Sequence, residues 1–175
     1  GHTTQLTRSG DTTMSLGERT NKANRWGADY LLSIHINAGG GTGYEDYIYS
    51  GKVHSNTSRL RDTIHPEVAK AVGWRNRGKK RANFHMLRES KMPAMLTENG
   101  FIDTKTDADK LKKDSTLDAI AKGHGEGLAK AFKLKKKTSS TGSNVLYKVQ
   151  VGAFLKKENA ERHAEKLKKA GFDTY

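Results

Sequence analysis

No cysteine occurs in the 175 residues. Disulfides and thiolate metal sites are therefore excluded, and any zinc centre would have to draw on histidine and carboxylates. This fits an exported protein as well as a cytosolic one. No apolar stretch approaches the length needed to cross a bilayer, and no charged-then-apolar leader precedes the first residues. Acidic side chains are in short supply, 19 against 32 Lys and Arg, which leaves a formal net charge of +13. Such an excess predicts an anionic partner surface: nucleic acid, anionic lipid or an acidic wall polymer. The lysines are dispersed along helices and a linker without interleaved stacking aromatics, so nucleic acid is not the expected partner.

What is present has the size of one ordinary domain, or one domain plus a small appendage. The opening residues through Leu6-Thr7-Arg8 alternate like a strand already under way, and the chain stops at Phe172-Asp173-Thr174-Tyr175, just after a helix-like segment. Both ends read as cuts through a longer protein. Ser15-Leu16-Gly17-Glu18 has the capping-box pattern of a helix start; the helix runs to about Trp26, Gly27 stops it, and Asp29 to His35 reads as a buried strand. Strand, helix, strand points to a βαβ unit. Gly39 to Gly43 forms a loop before a strand over Tyr44 to Tyr49. No Lys-Ser or Lys-Thr pair opens a helix after those glycines, so a mobile rim beside a site is expected in preference to a phosphate cradle.

Ser55 to Trp74 carries Leu60, Ile64, Val68 and Val72 at helical spacing, with Pro66 either kinking the helix or beginning a second one. Asn83 to Arg88 and Ala94 to Glu98 read as further strands, and Ser115 to Phe132 as a closing helix begun by Ser115 with Asp118. The alternation predicts an α/β fold, a mostly parallel twisted sheet covered by helices, over residues 1–133. A polar linker at 134–145 follows. Residues 146–175 then supply one alternating strand and one amphipathic helix, too little to bury a core alone.

Two strand-like segments end in chemically capable side chains where glycine-bearing turns begin, the place where open α/β sheets hold their chemistry. The first delivers His35, either a metal ligand or a core imidazole with a hydrogen-bond partner. The second, Ala94-Met95-Leu96-Thr97-Glu98, delivers Glu98. That residue is either an exposed strand-end acid or a buried one that must be paired, metal-adjacent or raised in pKa. His54 and His65 have no second ligand at i+4, and they, His124 and His163 read as surface residues; His85 could line the site or merely pack.

The order of these motifs resembles the type 3 family of zinc-dependent N-acetylmuramoyl-L-alanine amidases. The matching stretches are Leu6-Thr7-Arg8, Glu18-Arg19, Ala23-Asn24, Ser33-Ile34-His35-Ile36-Asn37, Gly43-Tyr44-Glu45 and Met92-Pro93 through Gly100-Phe101. Within the family the chain is similar to the sporulation-associated enzymes of mother-cell lysis. Tyr147 to Phe154 is similar to the opening strand of a SPOR repeat, a ferredoxin-like module that binds glycan strands, here incomplete. The resemblance implies one zinc ion with His35 as a ligand and Glu98 as the catalytic carboxylate; Glu45 would sit near the pocket without being a ligand. The implied partners are peptidoglycan glycan strands and stem peptides, with anionic wall polymers beside them. The implied location is the cell wall or extracellular space, or release from a lysing mother cell. The family takes its other histidine from an Asp-Pro-Gly-His-Gly-Gly segment and a glutamate beyond it. Both precede the Leu-Thr-Arg strand and would lie upstream of Gly1, so this chain is expected to bind zinc poorly and to hydrolyse little. The alternative is a non-catalytic peptidoglycan-binding protein.

Overall fold

Ser15 starts helix α1 (Leu16–Trp26) as predicted: its side chain accepts the Glu18 N–H, and the Glu18 carboxylate accepts the Ser15 N–H at 2.7 Å. Gly27, at φ +68°, closes the helix in the left-handed conformation that a Cβ would strain. The computed structural model describes residues 3–10 and 12–135. The chain divides into two units, Ser15–Lys136 with Gly1–Thr3, and Thr4–Met14 with Lys137–Tyr175. The incomplete module at 146–175 and the linker beyond residue 135 lie outside the described residues.

After α1 come β1 (Leu31–Asn37), β2 (Tyr44–Tyr49), α2 (Thr57–Val72), β3 (Asn76–Ala82), α3 (His85–Arg88), β4 (Ala94–Phe101), α4 (Lys105–Leu111) and α5 (Asp114–Ala131). The four strands form one sheet in the order β1-β4-β2-β3. β1 with β4 and β2 with β3 are parallel, while β2 with β4 is antiparallel.

Alternation along the strands sorts side chains onto two faces. Tyr44 and Met95 point to one, where Leu60, Ile64 and Val68 of α2 and Ile120 and Ala131 of α5 bury them. Leu31, Ala94 and Leu96 point to the other, against Ala23 of α1 and Met86 and Leu87 of α3. The second cover is short, and the far ends of β1 and β4 on that face are left open to hold chemistry.

Several expectations are corrected. Residues 3–10 form neither strand nor helix, with Leu6 71% exposed, so the opening βαβ unit is not formed among the described residues. Asn83 to Arg88 is not a strand: consecutive Met86 and Leu87 are both buried on the same side, which a helical turn allows and a strand's alternation forbids. The missed strand is β3, whose Asn-Arg-Gly-Lys-Lys-Arg-Ala run shows no apolar alternation because it is a charged edge strand. Pro66 sits inside one continuous helix. Helix α5 begins at Asp114 after Lys113, and Ser115 does not cap it.

Candidate active site

Parallel pairing sets His35 opposite Glu98, and antiparallel pairing sets Glu45 opposite Glu98. Register partners share a face, so His35, Glu98 and Glu45 stand in a row across three strands about 4.8 Å apart. The two residues singled out in the sequence are thus brought together.

Glu98 is partly buried, and its Oε2 is enclosed without a hydrogen-bond partner among the described residues. Desolvation, with the Glu45 charge adding to it, pushes its carboxyl up to about 7. A carboxyl poised there can both take and return a proton at neutral pH. The His35 ring is exposed, with Nε2 2.9 Å from Ser33 Oγ. Desolvation by neighbouring groups and then the Arg19 charge hold its pKa below the usual histidine value, which keeps a neutral imidazole nitrogen available.

Glu45 behaves oppositely. It is buried, accepting the Tyr47 hydroxyl at 2.7 Å and the Asn37 amide at 3.0 Å on one oxygen, and Arg77 Nε at 2.6 Å and the Lys80 ammonium on the other. Burial alone would raise its pKa, but the hydrogen bonds from Lys80, Tyr47 and Arg77 outweigh that and hold it at about 2. It is a permanent negative charge beside Glu98.

The backbone under His35 is fixed from the other face. Asn99 Nδ2 donates to the His35 carbonyl at 3.0 Å and to Thr97 Oγ1 at 3.2 Å. Thr97 Oγ1 in turn lies 3.0 Å from His124 Nε2. His124 is buried and its Nδ1 lies 2.7 Å from the Ile120 carbonyl, so Nδ1 carries the proton and Nε2 accepts from Thr97. The expectation of a surface His124 is corrected, and so is that for His65, which is buried against Asp46. A stray polar residue on a helix is legible in sequence, but its strand partner is not. His54 is exposed, and His85 packs 3.4 Å from Thr20 Oγ1.

The glycine loop is tied down, contrary to the mobile rim expected. Asp103 accepts the Gly39 and Gly40 N–H groups at 2.6 and 2.9 Å, and Asp107 accepts Thr42 Oγ1 at 2.7 Å and Gly43 N–H at 2.9 Å. Gly43 has φ +108°, and a Cβ there would stand 2.1 Å from the Arg75 carbonyl oxygen, so only glycine fits. Asn37, Arg77, Lys80, Asp103 and Asp107 all escaped the sequence reading. Their only signal there was proximity to the two motif strands or to a glycine run.

Among the described residues no three His, Asp or Glu side chains converge as metal ligands. One imidazole beside one carboxyl does not by itself fit a catalytic zinc centre, which needs three protein ligands and a water.

Residues 1–130 match the family model described as N-acetylmuramoyl-L-alanine amidase, and the chain belongs to that family. Residues 100–175 match the SPOR domain model. The chain is 57% identical over 169 residues to the sporulation-specific N-acetylmuramoyl-L-alanine amidase of Bacillus subtilis (strain 168), covering 97% of this chain and 64% of that protein. It is 55% identical over 168 residues to N-acetylmuramoyl-L-alanine amidase CwlM of Bacillus licheniformis, covering 96% of this chain and 64% of that one. It therefore spans under two thirds of the length of these relatives. Among solved structures it is similar to the catalytic domain of CwlV from Bacillus (Paenibacillus) polymyxa var. colistinus. The TM-score is 0.70 at 30% identity, over 75% of this chain and 73% of that one. It is also similar to an N-acetylmuramoyl-L-alanine amidase from Clostridium difficile 630, with TM-score 0.69 at 34% identity, over 74% and 71%.

Proposed function

We propose that this chain carries part of the hydrolytic centre of a cell-wall amidase that cuts the amide joining the lactyl group of N-acetylmuramic acid to L-alanine, in sporulation-linked wall lysis. The observation that carries the reading is the half-titrated Glu98 carboxyl standing beside the His35 imidazole on adjacent strands. Glu98 takes the proton of the attacking water and returns it to the departing amine, the two transfers that amide hydrolysis requires. The enzyme is zinc-dependent in this proposal, with His35 as one ligand and the remaining donors outside the described residues. With that single donor the chain binds zinc weakly and hydrolyses little.

The proposed layout is a catalytic part at 1–133, a linker at 134–145 and a SPOR module at 146–175 that holds glycan strands, with the net positive charge favouring anionic wall polymers. The protein acts at the wall or on release from a lysing mother cell. Among the described residues no ligand set converges, and that favours one second reading, a wall-binding protein without turnover.

The test is muropeptide release from purified sacculi by a longer form of the protein that supplies the further donors. Glu98→Gln should lower release by about 10²–10⁴-fold with zinc content retained, the usual range for loss of a general acid–base. Undiminished release would overturn the role of Glu98. Adhesion of the longer form to sacculi with no stem peptide set free would establish the second reading.

A further inference from the structure

We propose that Arg77 and Lys80 form a carboxylate-binding subsite for the stem peptide, engaging an acidic group on the second peptide residue beyond the cleaved amide. This rests on the muramyl-peptide reading of the Glu98 site. Both cations converge on Glu45, so two positive charges face one permanent negative charge and one positive charge is left uncompensated.

The geometry of Arg77 is that of a receptor. Its Nε is spent on Glu45, and its guanidinium carbon lies 4.9 Å from the centre of the Phe101 ring, which fixes the plane of the group. Its two terminal nitrogens have no hydrogen-bond partner among the described residues. A guanidinium held by one nitrogen and a ring presents the remaining fork already aimed, the shape that matches a carboxylate in bidentate fashion. The side chains of Arg77 and Lys80 are 27% and 36% exposed, so a ligand can reach both. Lys80 adds a point charge, held 5.8 Å from the centre of the Tyr47 ring.

The spacing selects which acidic group is read. Strands β4, β2 and β3 are consecutive in the sheet, which places the Arg77 backbone roughly 10 Å from that of Glu98. Two residues of extended peptide cover roughly 7 Å, and the two side chains close the remainder. With its scissile carbonyl at Glu98, a stem peptide lying across the strands brings the free carboxylate of its second residue to the fork.

The experiment is a nuclear magnetic resonance titration of the 175-residue chain with two ligands that differ by one charge. They are N-acetylmuramoyl-L-alanyl-D-glutamine, whose α-carboxylate is free, and its neutral α-amide, N-acetylmuramoyl-L-alanyl-D-glutamine amide. The acid should bind about tenfold tighter than the amide, the value of a charge-assisted hydrogen bond. The gap should vanish in Arg77→Gln and survive in part in Arg77→Lys, which keeps the charge and loses the fork. Equal binding of both ligands to the unaltered chain would overturn the subsite while leaving the muramyl-peptide reading intact, and this comparison needs no variant to fold. A gap that persists in Arg77→Gln combined with Lys80→Gln would also overturn it. Binding of neither ligand would overturn the reading of the site together with the subsite.

Discussion

On the face covered by α2 and α5, Asp46 is sealed from solvent, meets the His65 ring and accepts the Tyr44 hydroxyl at 3.0 Å, while the far nitrogen of His65 lies 3.0 Å from the Asn76 amide. On the opposite face Glu98 has one oxygen enclosed and unpaired. Glu45 and Asp46 are consecutive on β2 and point to opposite faces; Glu45 has partners on both oxygens, Asp46 has them on Oδ2 with Oδ1 enclosed and unpaired, and Glu98, across from Glu45, has no partner on Oε2 among the described residues. The contrast teaches that cation placement decides which carboxyl titrates. Arg77 and Lys80 went to Glu45, and Glu98, left beside that charge, holds its proton. Glu45, paired on both oxygens, is a structural element, whereas Glu98, under-paired and reachable from the open face, is available for proton transfer.

The largest effect is expected from breaking the covered face. Asp46→Ala leaves the buried His65 ring and the Tyr44 hydroxyl without their shared acceptor and should cost about 2–5 kcal/mol, the usual result of stranding two buried hydrogen-bonding groups, read as a lower urea midpoint. A loss below 1 kcal/mol would show that the pair is incidental. The next effect concerns helix contact on the same face. A Cβ at Gly127 would stand 3.0 Å from the Ile64 Cα, so Gly127→Ala should force α5 away from α2 and cost about 1–3 kcal/mol despite alanine's better helix propensity. A stabilised variant would mean that the two helices adjust freely.

The open face is tested through pH. Glu98 is raised from 4.5 to about 7, so the folded state holds that proton more tightly than the unfolded chain. The stability this confers is complete below pH 4.5 and is lost as pH rises through 7. Glu98→Gln should flatten that loss and stabilise the protein by roughly 1–2 kcal/mol at pH 8, allowing for solvent screening of a partly exposed group. Glu45 runs the other way: its contribution is present above pH 4.5 and is lost as pH falls toward 2. Unfolding curves at pH 2.5, 4.5, 6 and 8 separate the two, and an unchanged slope above pH 4.5 in Glu98→Gln would remove Glu98 as the titrating group.

Local signals were the legible part of this fold. The Ser15 box, the Gly27 stop, the apolar runs of β1 and β4 and the stripe of α2 all act within a few residues of chain, and each formed where the sequence placed it, within the usual scatter at element ends. His35 and Glu98 were likewise visible, because a titratable group closing an apolar run is anomalous wherever it occurs. β3 was not visible: an edge strand contributes ladder hydrogen bonds with little burial, so its charged sequence carries no alternation. The Glu45 cation pair, the Asn99 link to the His35 carbonyl and the Asp107 clasp on Gly43 depend on strand order and register, which no local pattern encodes.

The smallest effect sharpens the same contrast from the side of α1, the thinner cover. Ser15 closes the first turn of that helix with both of its reciprocal hydrogen bonds, and α1 buries only Thr20 and Ala23. Little packing therefore backs up the cap. Ser15→Ala should cost about 1 kcal/mol and should raise amide exchange in the first turn of α1, while α5, docked on the other face, keeps its protection. If the sheet truly separates a rigid face from a loosely covered one, the two helices respond independently. Equal loss of protection in α5 would show that the faces unfold as one unit, and the openness around Glu98 would then reflect side-chain packing at the ends of β1 and β4, not a weak helical cover.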